Sequence, residues 1–92
     1  MPKFYPFQIA GYYLYFTSKC IVEAMHVHAS DRQLDEGSSA KFFVKSDGTT
    51  VIQNKGVLKD RELIIIQKFI LKNYKDMYEF WKSFGGGDYF EK

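Results

Sequence analysis

Both histidines of this chain lie in one short stretch, EAMHVHAS at residues 23–30. In an extended strand, side chains at i and i+2 leave the backbone on the same side, so His26 and His28 can serve one site. Three uses of such a pair compete. Two imidazoles can hold a metal ion, but a site needs at least a third ligand, and Glu23, Asp31, Asp35, Glu36 and Cys20 are the donors nearby in sequence. With only two clustered ligands secure, the expectation is no stoichiometric transition metal and no cofactor. A histidine beside a lysine can instead move a proton and stabilise a phosphate during RNA cleavage. Lys41 approaches His28 if residues 25–29 and 40–44 pair antiparallel, which makes His26, His28 and Lys41 the candidate catalytic set. The third use involves no chemistry: Met25, Val27 and Ala29 pack under a helix while the histidines occupy the polar side of the strand. Alternation alone explains that arrangement, so it ranks first, acid–base chemistry second and metal third.

The elements that must position these residues are readable in outline. FQIAGYYLYFTS suggests a hairpin or bulged strand, with Gly11 permitting the turn and Tyr12, Leu14 and Phe16 alternating with Tyr13, Tyr15 and Thr17. The first set is the better core candidate. SKCIVEA reads as a loop, Met25–Ala29 as a strand, and the polar SDRQLDEGSS as an exposed connection. AKFFVK and TVIQN form two further strands, joined by the Asp-Gly pair of a tight hairpin turn. After Gly56 the period changes. Leu63, Ile66, Ile70, Tyr74, Met77, Trp81 and Phe84 follow at helical spacing, Asp60 and Glu62 favour a helix start, and GGG at 85–87 ends it. Asn73 interrupts the stripe and marks a kink, a break between two helices or a side chain bonded to backbone. Trp81 lies on the apolar stripe and is a core anchor rather than a stacking platform, and Cys20 defaults to a small apolar residue.

Bulk properties narrow the class. With 92 residues the chain is one domain, and its net charge of +2, with acids interspersed among the lysines, does not announce a nucleic-acid binder. A single cysteine excludes an intrachain disulfide and fits a reducing compartment. The start, MPKFYPFQIAGYYLYF, lacks the basic head and unbroken apolar run of a signal peptide, and no stretch approaches the roughly 20 apolar residues of a membrane span. A cytoplasmic protein with no membrane contact is expected. Nine Phe and seven Tyr in so short a chain serve mainly to fill a core, with some left for a partner-facing surface.

HVH, then AKFFV, then QNKG, then a C-terminal helix carrying KNY and EFW resembles a family of small bacterial proteins, the domain-of-unknown-function family number 4160. The resemblance runs from about Gly11 to Phe84 and rests on His26, Val27, His28, Ala40, Lys41, Phe42, Gly56, Asn73 and Trp81. It implies a partner: members are often encoded beside another small protein, in an arrangement that looks like a toxin–antitoxin pair. The family usually precedes its histidines with Asp-His and prolines, where this chain has KCIVEAM. A family site that used those residues is absent here or completed by others.

The reading is therefore an α+β fold. Residues 1–57 supply an antiparallel sheet of about four strands, 58–84 a C-terminal helix or broken helix pair on one face, and 85–92 a loose tail. The other face stays open, and Tyr13, Tyr15, His26 and His28 share it as a partner-binding surface. The expected function is a small protein- or nucleic-acid-binding module, one member of a toxin–antitoxin-like pair. The alternative is a metal-independent ribonuclease-like enzyme. Its expected partner is a small protein encoded nearby, with RNA and a second copy of the chain as other candidates.

Overall fold

A computed structural model describes residues 2–17, 19–31 and 39–91. Most of the polar connection before Ala40, with the candidate ligands Asp35 and Glu36, lies outside the described residues. Four antiparallel strands lie in the order of the sequence: β1 (Tyr13–Tyr15), β2 (His26–Ser30), β3 (Ala40–Val44) and β4 (Thr50–Asn54). A 3-10 turn, Cys20–Val22, sits between β1 and β2. The β3–β4 turn closes on Gly48, whose φ of +88° only glycine adopts easily, and a Cβ there would stand 2.5 Å from the Tyr74 ring. Asp47 fixes the same turn by accepting bonds from the Thr49 amide at 3.0 Å and hydroxyl at 2.6 Å.

The expected α+β architecture is present, with one C-terminal helix. Helix α1 runs without a break through Asp60–Ser83. Its start is fixed by Glu62, which accepts the Lys59 amide at 2.8 Å and the Tyr12 hydroxyl at 3.1 Å. Those donors hold the Glu62 carboxyl below the usual carboxylate range, the Lys59 amide contributing most. The broken-pair alternative is thus corrected. Asn73 donates to the Phe69 carbonyl at 2.9 Å and leaves the helix continuous. Leu63, Ile66, Ile70, Met77 and Trp81 are buried against Leu14, Val27, Ala29, Phe42 and Val44 of the sheet. Fully burying one such side chain stabilises the fold by roughly 1.5–3 kcal/mol, so this stripe is the main reason the helix stays docked. Phe84, assigned to the stripe by its spacing, instead caps the helix end half-exposed.

Two segments depart from expectation. The C-terminal residues are fastened rather than loose: Asp88 and Phe90 bond the backbones of Met25 and Val44 at 2.8 and 2.9 Å, and Phe90 stacks on Phe43. Tyr89 stacks on Tyr78, and the Trp81 indole donates to the Gly87 carbonyl at 2.6 Å. At the other terminus, residues 2–4 run along β1. Phe4 donates to Leu14 at 2.8 Å and Phe16 to Pro2 at 3.0 Å, which closes that edge of the sheet.

Candidate functional site

Pairing of β1, β2 and β3 brings Tyr15, His28 and Lys41 into one row across three strands, with His26 beside Phe43 in the next. All point away from α1, because Leu14, Val27, Ala29, Phe42 and Val44 take the alternate positions. The approach of Lys41 to His28, expected if the two strands paired, is thus present. The open face is not. His26 is 0 % exposed and His28 6 %, Tyr15 is buried, and only Tyr13 keeps partial access. Both histidines and Tyr15 were expected on a solvent-accessible surface, and this burial corrects that expectation.

The covering comes from three sides. The β1–β2 connection folds back so that Glu23 accepts a bond from Lys41 at 3.1 Å. Trp81 reaches past the strand ends and meets the His26 ring edge-on at 5.5 Å. Phe90 lies over Phe43. Strand alternation determines the side on which a residue projects; it carries no information about what folds over that side.

Within this enclosure the His26 Nδ1 donates to the Ala24 carbonyl at 2.9 Å, since a carbonyl can only accept. His28 Nδ1 stands 3.4 Å from the Ser39 hydroxyl, and the two imidazoles meet edge to face at 5.1 Å. Cys20 approaches from the 3-10 turn, and its Sγ and a ring nitrogen of each histidine all lie within 4.8 Å of one another. Of the candidate ligands near the pair, Cys20 is the one brought together with them among the described residues. Lys41, bonded to Glu23, holds that carboxyl below the usual carboxylate range. An imidazole this enclosed cannot meet the phosphate of an RNA chain unless the covering connection moves, which weighs against His26, His28 and Lys41 as a general acid–base set.

A second region was overlooked in the sequence. β4 is the outer strand, and Val51 and Ile52 stay 37 % and 38 % exposed on its opposite faces. Beside it, Ile64 and Leu71 of α1 are about half exposed. With Thr49, Thr50, Gln67 and Lys68 they line a shallow groove of about 270 Å³. Gln67 donates to Thr50 at 2.9 Å and braces its floor. The signal was legible, because 64, 67, 68 and 71 form a second helical stripe alongside the core stripe. Among the described residues, no segment pairs with the outer edge of β4.

No helix among the described residues is long and apolar enough to cross a membrane. No curated protein and no solved structure matches the chain. The family described as domain of unknown function (DUF4160) matches residues 11–82, which include every strand and nearly all of the helix, and the protein belongs to that family.

Proposed function

We propose that this protein is a protein-binding module that receives an extended segment of a partner along β4. One observation carries the reading: among the described residues nothing pairs with the outer edge of β4, which keeps exposed apolar side chains next to the apolar groove of Ile64 and Leu71, while residues 2–4 cover the opposite edge of the same sheet. An extended segment laid on such an edge gains main-chain hydrogen bonds, and alternate side chains find the apolar flank. The register shift opposite Lys41 and Phe42 makes Gln53 the extra residue of β4, so regular pairing is confined to Thr50–Ile52 and its immediate neighbours. Lys68 lies in the groove wall, which favours a segment bearing an acid beside its apolar residues.

The first partner to test is a small protein encoded beside this one, as in a toxin–antitoxin-like pair. Amide chemical shifts of the full chain, titrated with that protein, are expected to move along 50–54 and 64–71. Ile52→Lys and Ile64→Lys are expected to weaken the complex at least tenfold while leaving the thermal melt nearly unchanged. Binding indifferent to both substitutions would overturn the proposal. Growth arrest on expression, abolished by replacing His26 and His28, would favour the ribonuclease reading instead.

A further inference from the structure

We propose that Cys20, His26 and His28 form a structural zinc site that clamps the Cys20–Val22 turn onto β2. The three side chains come from two elements that backbone pairing does not join, and their donor atoms nevertheless converge to within 4.8 Å of one another. Ligand atoms around a tetrahedral zinc stand roughly 3.3–3.6 Å apart, given Zn–S and Zn–N bonds of about 2.3 and 2.1 Å. Side-chain adjustments of about 1 Å therefore bring this triad onto one ion.

The surroundings suit each ligand to that task. Because His26 donates its Nδ1 proton to the Ala24 carbonyl, a neutral ring carries its lone pair on Nε2. A backbone carbonyl behind a histidine is the usual support that orients a metal-bound imidazole. Cys20 Sγ accepts the Thr17 amide at 3.3 Å and lies 3.2 Å from the Thr17 hydroxyl. Hydrogen-bond donors around the sulfur are the kind of outer-shell support that orients a metal ligand. Tyr15 and Phe43 ring the two imidazoles at 5.5 and 5.7 Å and exclude bulk water.

The donor set selects the ion. One sulfur and two imidazole nitrogens suit zinc and related borderline ions, and they exclude magnesium and calcium, which take oxygen. The same cluster serves poorly as a Cys–His nucleophile, because Cys20 is only 3 % exposed and no substrate carbonyl can reach it. Glu23 sits in the chain between Cys20 and His26, and its carboxylate, now on Lys41, is a candidate for the fourth position among the described residues, with water as another.

The test uses the untagged full chain, purified without chelator. About one zinc per chain is expected after gel filtration. Cobalt(II) added after zinc removal is expected to give a thiolate-to-metal charge-transfer band and the intense visible bands of tetrahedral coordination. A thiol-reactive disulfide reaches the buried Cys20 only when the Cys20–Val22 turn opens, so zinc should slow that reaction, and Cys20→Ala should abolish the charge-transfer band. Should that variant fail to fold, the cobalt spectrum and thiol protection of the unsubstituted chain still decide. A chain that purifies without zinc, gives no charge-transfer band with equimolar cobalt and reacts at Cys20 equally fast with and without zinc overturns the proposal.

Discussion

At the β1 edge the backbone of Phe4 and Phe16 is bonded, and the side chains nearby are sealed: Tyr15, Phe16, His26 and Trp81 are all fully buried. At the β4 edge, three strands away, every strand residue after Thr50 is exposed, and isoleucine and leucine of α1 lie half in solvent beside it. Residues of chemical character are inside, and residues of core character are outside. The contrast teaches that residue type alone does not locate function in a protein of this size. An imidazole under a tryptophan and a folded-back connection acts first on the fold, or on an ion enclosed with it. An isoleucine left on an unpaired edge acts first on whatever arrives there.

The contrast breaks first at Trp81. Its indole meets the Phe16 ring at 5.0 Å and donates to Gly87 at 2.6 Å. Trp81→Ala should cost about 3–5 kcal/mol, as aromatic truncation in a core does. Urea denaturation checks this, and an unchanged midpoint would remove the buried half of the comparison. His26→Leu comes next. It leaves the Ala24 carbonyl without its donor and should cost about 1–3 kcal/mol in the same measurement. Retention of full stability there would mean that the imidazole is held by nothing the fold needs.

Val51→Lys, on the exposed half, should change stability by less than about 0.5 kcal/mol, since no cavity or buried charge results. A loss comparable to that of His26→Leu would show β4 to be core and would abolish the distinction between the flanks. The smallest effect concerns Glu62, which ties the Tyr12 end of the closed flank to the helix start. Its folded pKa lies below the reference value of 4.5. Its contribution is therefore fully present above 4.5 and is lost as pH falls through the lower folded value. The melting difference between the unsubstituted chain and Glu62→Gln should accordingly shrink on acidification from neutral pH. A difference that stays constant would place the stabilisation elsewhere.

Much of the frame was legible before any coordinates. Alternation in YYLYF and HVHAS, the Asp-Gly turn and the 3.6-residue stripe from Leu63 to Trp81 each report on a local period, and local periods survive folding. The approach of Lys41 to His28 followed from the length of the connection and the antiparallel rule. What stayed hidden depends on long-range closure. Burial of His26 draws on Trp81, more than fifty residues away, and its neighbour Phe43 is covered by the equally distant Phe90. Nothing in SKCIVEA shows that Cys20 turns back towards the histidines. The exposed stripe of Ile64 and Leu71 was visible in the sequence, but the adjacent Leu63–Ile66–Ile70 stripe offered a stronger claim to the same helix.

The closure of β1 by residues 2–4 also limits how copies of this chain can assemble. Edge-to-edge growth into a fibril needs each molecule to offer two sticky sides, one to accept a neighbour and one to extend the row. Here one side is already occupied by residues 2–4. Among the described residues, edge-to-edge pairing of two copies would have to run β4 to β4, and that pairing would use up the open side of both. Such growth would stop at two copies, and a partner taking the same strand, as proposed, would cap the molecule after a single event.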